Sequence, residues 1–288
     1  MTATDLPDST FLIRVNAKLK NPTPLKGQNI LVTRQESSDH SLSEKLIGLG
    51  AEVHNHPLIS IHPPDSWDSF DEALNQLNKI DWVVFTSRNG VLFTFKRLVE
   101  LGVSTKILKS LRIACFPAAE EALRQKQIET DLIPSHHQSE GLIQELKQLN
   151  PSGLCFWLVQ AEEPRYTLQE ELLKMNAEVM ISTVYCNRIP KTDFSPFLQL
   201  LRLKRLDWIV LASASAVRNL FSIIPSHWDC DWSNSLKVAC LGEITASAAV
   251  SHGLKVEIQP EVQDFEHLVQ AMADHVSNDE GEHETNLE

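Results

Sequence analysis

Two serines 126 residues apart hold the same place in nearly the same sentence: Ser87 in "DWVVFTSRNGVLFTF" and Ser213 in "DWIVLASASAVRNLF". Each closes an apolar run of strand length and precedes a segment with helical spacing. A hydroxyl beside the free N–H groups of a helix start can hold an anion such as a carboxylate. The simpler alternative is that each serine only caps its helix. Other polar residues stand where strand-like runs end: Thr33 and Arg34 after "NILV", Arg88 and Ser215 beside the two serines, and Gly242 and Thr245 in "LGEITASAA". Ser139 opens "SEGLIQEL" as a candidate N-cap. Tyr185, one of only two tyrosines, closes the strand-like "STVY"; taken alone it reads as a packing aromatic.

Several chemistries have no pattern here. No serine is framed as GxSxG, and there is no P-loop. "CLGEITASAA" lacks the glycine spacing of a dinucleotide turn. His54 with His56, and His136 with His137, lack zinc spacing and read as solvated or edge histidines, so no metal is expected.

The elements that must carry these residues repeat. "LGAEVHNHPLISI" from Leu49 aligns with "MNAEVMISTVYCN" from Met175 at the same offset of 126, and "LRIAC" from Leu111 with "LKVAC" from Leu236 at 125. A period this long indicates duplicated domains rather than a solenoid. Within each copy short apolar runs alternate with amphipathic segments such as "SLSEKLIGLG", where Leu42, Leu46 and Leu49 share a face and Gly50 suits a C-cap. Strand–helix alternation implies parallel sheets covered on both faces. Ligands of such sheets bind at the carboxyl ends of the strands, which is where the polar residues above fall. Two domains facing across a cleft would oppose these loops.

At 288 residues the chain has room for two cores, and 42% hydrophobic with 22% charged residues is a globular composition. A net charge of −12 argues against a nucleic-acid partner. No apolar run approaches the roughly 20 residues of a membrane helix, and the first 20 residues do not read as a signal peptide. Five cysteines without a CxxC pair suggest reduced thiols and a cytoplasmic location. Residues 1–27 read as a leader, and the acidic tail 276–288 as disordered.

The doubled α/β unit, with "LVTR", "FTSRNGV", "TVYCNRIP", "LASASAV" and "LGEITASAA" in this order, resembles the uroporphyrinogen-III synthase family from about Asn29 to Met272. The resemblance implies an α/β fold of two related parallel-sheet domains: 28–58 plus 191–275, and 67–181. Linker strands 59–66 and 182–190 would join them, with a cleft between. It implies cyclisation of hydroxymethylbilane, an eight-carboxylate linear tetrapyrrole, with loss of water, inversion of ring D and no cofactor. Tyr185 matches the family's tyrosine proposed to protonate the departing hydroxyl. Thr245 matches a cleft threonine, and Ser87 and Ser213 match strand-end serines. Thr33, Arg34, Arg88, Ser139, Ser215 and Gly242 complete the expected substrate-binding set, with Arg34 and Arg88 as carboxylate partners. A monomer is expected, with possible hand-over of substrate from hydroxymethylbilane synthase. One turn departs from the family: "CFPAAE" (Cys115 to Glu120) puts Phe116 at the glycine and Ala119 at the threonine, and "LVQAEEPRYTL" carries two acids. That would weaken binding by the second domain, leaving open a catalytically weak or silent tetrapyrrole-binding relative. A two-domain protein binding some other anion is a third reading.

Overall fold

A computed structural model describes residues 23–36, 42–134, 139–163, 167–228 and 230–285; of helical residues 139, 140, 167, 230, 231 and 279–285, only the backbone is described. The chain divides into two compact units. One takes the residues up to Ser60 together with those from Ile189 onward, and the other takes Ile61–Arg188.

In chain order, β1 (Asn29–Val32), α1 (Leu42–Gly48) and β2 (Glu52–Asn55) begin the first unit. The second unit is then built whole: β3 (Ser60–His62), α2 (Asp68–Asn75), β4 (Trp82–Phe85), α3 (Arg88–Glu100), β5 (Arg112–Cys115), α4 (Pro117–Gln125), α5 (Ser139–Gln148), β6 (Cys155–Ala161), α6 (Thr167–Lys174) and β7 (Glu178–Arg188). The chain returns to the first unit with α7 (Ser195–Arg202), β8 (Trp208–Leu211), α8 (Ala214–Ile223), β9 (Lys237–Cys240), α9 (Glu243–Ser251), β10 (Val256–Ile258) and α10 (Phe265–Thr285). Each unit holds a five-stranded sheet, ordered β10-β9-β8-β1-β2 and β3-β7-β6-β4-β5. The pairings among β1, β2, β8, β9 and β10, and among β4, β5, β6 and β7, are parallel.

Both sheets are buried on both faces, which is why their strands read as unbroken apolar runs. In β8, Ile209 and Leu211 face α7, α8 and α9, packing with Phe197, Val217 and Ala249. Trp208 and Val210 face α1 and α10, packing with Leu46, Leu268 and Met272. In β4, Val83 and Phe85 pack with residues of α2, α3 and α4, while Trp82 and Val84 pack with Leu142 and Leu146 of α5. The loop after α1 turns at Gly50, whose φ of +95 lies in the left-handed region, while Ala51 N–H bonds Leu46 O.

The equivalent strands are β1 with β6, β2 with β7, β8 with β4, and β9 with β5. The two sequence copies are therefore not the two folded units. Each unit joins half of one copy to half of the other. The repeated "DW" shows what the sequence doubling preserves. Asp207 accepts Asn29 N–H at 2.7 Å, and Asp81 accepts Cys155 N–H at 2.8 Å. Each aspartate thus staples the amino end of the neighbouring strand. Lys237 lies over the Trp208 ring at 5.3 Å, and Arg112 over the Trp82 ring at 5.3 Å. The likeness breaks at one atom. Trp208 Nε1 donates to Gln28 Oε1 at 3.1 Å, whereas the buried Trp82 Nε1 has no partner. Gln28 is matched, 126 positions on, by Leu154, which has no acceptor to offer.

Three boundary expectations meet a different structure. Residues 276–288 were expected to be disordered, but α10 continues to Thr285. Leu268, Val269, Met272, Ala273 and Val276 anchor one face of that helix in the core, and each further residue adds one backbone bond to an existing helix. The strand expected as a linker over 182–190 is the continuation of β7, which pairs with β6 from Glu178 as far as Tyr185. Residues 23–27, expected in the leader, form a turn whose Leu25 is fully buried and bonds Leu49 O.

Candidate active site

The two doubled serines adopt one conformation. Ser87 (φ −156, ψ 153) caps α3 and accepts Gly90 N–H at 3.0 Å. Ser213 (φ −156, ψ 154) caps α8 and accepts Ala216 N–H at 3.2 Å. Both hydroxyls therefore perform the capping role, each satisfying an N–H that the helix itself leaves open.

They differ in what stands beside them. Tyr185 on β7 is 9% exposed, and its ring stacks on Phe93 of α3 with centroids 6.0 Å apart and planes 26° apart. Burial pushes the phenol pKa up from its ordinary value, and the neighbouring Ser87 hydroxyl opposes that rise. A phenol carries its proton at neutral pH whatever the shift, and burial makes it a weaker acid than a free tyrosine. In the first unit Ile59 stands at the position equivalent to Tyr185. There Asn219, the counterpart of Phe93, donates its side-chain N–H to Leu58 O at 2.8 Å. The second unit alone pairs a capping serine with a phenol among the described residues.

The remaining candidates divide. Thr33 is 1% exposed and its hydroxyl donates to Val210 O at 2.7 Å, so it ties β1 to β8. Arg34 is half-buried with its guanidinium 4.5 Å from the Phe265 ring centroid. Arg88 is exposed at the start of α3, and its charge helps hold the Glu121 carboxyl below the usual range, after the larger hydrogen bonds from Arg124 and Gln125. Ser215 accepts from Arg218 Nη2 at 3.1 Å. Gly242 is the N-cap of α9 with extended backbone (φ −162) and no side-chain cap, and Thr245 is buried in the same first turn. The Ser139 side chain and His136–His137 lie outside the described residues.

The departing turn is one residue shorter, which changes how it differs. In the first unit Leu241 N–H bonds Leu211 O, and Gly242 then caps α9. In the second, Phe116 N–H bonds Phe85 O and Phe116 is itself the cap of α4. Phe116 fills both places, so the glycine is omitted rather than replaced by a bulkier residue. Pro117 follows at the first helical position and removes one N–H from that helix start. The α4 start is therefore a poorer anion site than the α9 start. Of the two acids in "QAEE", Glu162 is held by Arg188, whose guanidinium also reaches Asp65 at 3.2 Å.

Two contributors were missed in the sequence. Phe93 lies inside the repeated segment but where the copies differ, and that difference was its signal. Gln263 lies against Gly242 so closely that a Cβ there would sit 2.6 Å from its Oε1; nothing in its local sequence marks it. Among the described residues, no three His, Cys, Asp or Glu side chains gather as metal ligands, and no helix is long and apolar enough to cross a membrane.

The family model described as Uroporphyrinogen-III synthase HemD matches residues 40–270. The chain belongs to the uroporphyrinogen-III synthase family. It is 26% identical over 244 residues to the uroporphyrinogen-III synthase of Synechococcus elongatus, covering 84% of this chain and 92% of that one. It is likewise 26% identical over 237 residues to the porphyrin biosynthesis protein HemD of Ruminiclostridium josui, covering 81% of this chain but only 45% of that longer relative. The crystal structure of a mutant uroporphyrinogen III synthase from Thermus thermophilus shares the fold, with a TM-score of 0.64 at 16% identity over 87% of this chain and 99% of that one. The family's two-sheet α/β fold is thus the fold described above.

Proposed function

We propose that this chain is a working uroporphyrinogen-III synthase, with Tyr185 as the proton donor. The observation that carries the reading is a buried phenol at the position where the family resemblance puts its tyrosine. The Tyr185 O–H would protonate the terminal hydroxyl of hydroxymethylbilane. The C–O bond breaks, water leaves, and an azafulvene cation remains. Attack by the substituted carbon of ring D gives the spiro intermediate that reopens and closes with that ring inverted. The protein's share is to supply the proton, exclude water from the cation and impose the fold of the substrate chain. The helix starts at Ser213 and Gly242, with Arg34 and Arg88, would take the substrate's carboxylates. Among the described residues, four cysteines are buried and free, in keeping with work in a reducing, cytoplasmic compartment.

Freshly made hydroxymethylbilane offered to the protein should yield the asymmetric type III product. Type I alone, with tight binding, would instead mean a silent relative; the short "CFPAAE" turn is what keeps that second reading in play. Tyr185→Phe should lower kcat by about a hundredfold without abolishing turnover, the low end of a single general-acid contribution. An unchanged rate would remove Tyr185 from the mechanism.

A further inference from the structure

We propose that a one-residue bulge in β7 aims the Tyr185 side chain, and that Glu162 and Arg188 are positioning residues that lock this bulge. The proposal rests on the reading of Tyr185 as proton donor and adds to it what holds the donor in place.

Along a regular strand, neighbouring side chains point to opposite faces of the sheet. β7 follows that rule at first. Met180 packs on the face covered by α2 and α3, and Ile181 on the face covered by α5 and α6. Ser182 is on the first face again, where its hydroxyl accepts Trp157 Nε1–H at 2.8 Å. By the same count Val184 belongs on the α3 face and Tyr185 on the α6 face. Both pack instead in the cluster under α3. The pairing with β6 shows why. Gln160 stands opposite Thr183, but Ala161 stands opposite Tyr185, so Val184 is an extra residue in β7. A bulge of this kind re-aims a side chain, and here it turns Tyr185 onto the Phe93 ring.

The extra residue of a bulge disrupts the ladder around it, so the strand beyond needs another hold. Glu162 N–H bonds Tyr185 O at 2.9 Å, resuming the pairing with β6 directly after the bulge. The Glu162 carboxylate also takes both Nη atoms of Arg188, three residues beyond Tyr185, with Nη2 3.0 Å from Oε1. Arg188 Nη2 reaches Asp65 at 3.2 Å in the segment after β3, and Cys186 Sγ–H donates to Pro63 O at 3.2 Å in the same segment. Because β7 lies between β3 and β6 in the sheet, these bonds tie its end to both neighbours. The arginine fork meets a carboxylate at two points, a geometry that lysine cannot copy. With side chains 39% and 40% exposed, the pair adds little stability and mainly fixes geometry.

The duplicated half supplies a control inside the same molecule. Glu36, the counterpart of Glu162 at the offset of 126, instead accepts Ser43 N–H at 3.0 Å, and Ile59 stands where Tyr185 would be.

The test uses the full chain carrying Tyr166→Phe, which leaves Tyr185 as its one tyrosine. The NMR signal of carbon-labelled tyrosine then reports the ring beside Phe93 alone. Glu162→Ala and Arg188→Ala should each shift that signal, whereas Glu36→Ala should leave it in place. In turnover each of the first two should lower kcat about tenfold with KM little changed, part of the about hundredfold that a misplacement of about one ångström costs. Arg188→Lys keeps the charge without the fork and should stay as slow as Arg188→Ala. The double variant should be no slower than either single one, and Glu162→Ala should add nothing to Tyr185→Phe. An unmoved ring signal, a raised KM at unchanged kcat, full activity in Arg188→Lys, or an equal loss on top of Tyr185→Phe overturns the proposal. A moved signal with Tyr185→Phe turning over at the full rate would keep the lock and overturn the proton-donor reading instead.

Discussion

Gln28→Leu copies into the first unit the residue that the second unit already has at the equivalent place. Trp208 is fully buried, and Gln28 Oε1 is the acceptor for its indole N–H at 3.1 Å. Removing that acceptor leaves a buried donor unmade, a penalty of about 1–3 kcal/mol. Leucine at a half-buried position returns less than the roughly 1.5–3 kcal/mol of a fully buried one. The net expectation is a loss of about 1–2 kcal/mol, or about 2–8 °C in Tm at this size. The reverse exchange, Leu154→Gln, offers the orphaned Trp82 N–H a partner worth about 1 kcal/mol. That roughly offsets the apolar contact it gives up. Urea denaturation followed by circular dichroism should therefore rank Gln28→Leu below Leu154→Gln by at least about 1 kcal/mol, at unchanged m-value. Equal losses in the two variants would show that the missing acceptor is not what separates the two tryptophans.

The buried thiols make a second prediction. Burial pushes Cys115 and Cys240 up to about 12, with Glu120 adding to the shift at Cys115. Both should resist alkylation at neutral pH until the chain unfolds, as peptide mass spectrometry would show. Stability against pH follows the same sign. With folded pKa values raised for these thiols and for Tyr185, their contribution is complete below the unfolded values near 9 and 10, and is lost as pH climbs through the folded ones. Urea midpoints should fall steadily above pH 9; a flat profile to pH 11 would contradict the burial assigned to them. Gly242→Ala meets only the end of the Gln263 side chain and needs no strained φ. It should cost under about 1 kcal/mol in stability, so any larger loss in kcat/KM would come from displacing Gln263, and Gln263→Ala alone should reproduce it.

The alternation of strand and helix was legible because β4 and β8 are apolar on both faces and end on a polar residue. Ser87 and Ser213 could be placed at helix starts for the same reason. Their separate surroundings could not be read. Phe93 and Asn219 differ in the repeat, but only the packing of β7 against α3 shows that the difference concerns Tyr185. Thr33 looked like a strand-end ligand, yet its hydroxyl bonds a carbonyl of β8, a strand 177 residues away in the chain. The acidic tail read as disordered from its composition, which carries no signal for a helix extended from an anchored turn. The missing residue in "CFPAAE" returns the offset from 125 at Cys115 and Cys240 to 126 at Ile128 and Leu254, but its effect on the cap needed the Phe116 and Gly242 backbones side by side.

Because the first unit borrows from both ends of the chain, its assembly on the ribosome has an enforced order. β1 leaves the exit tunnel with no neighbour on the β8 side, and about 177 residues must follow before that neighbour exists. At about 5–20 residues per second that is a wait of about 10–35 s. During that interval the residues of Ile61–Arg188 can complete their own sheet, while the apolar "NILV" edge stays open to chaperones or to another nascent chain.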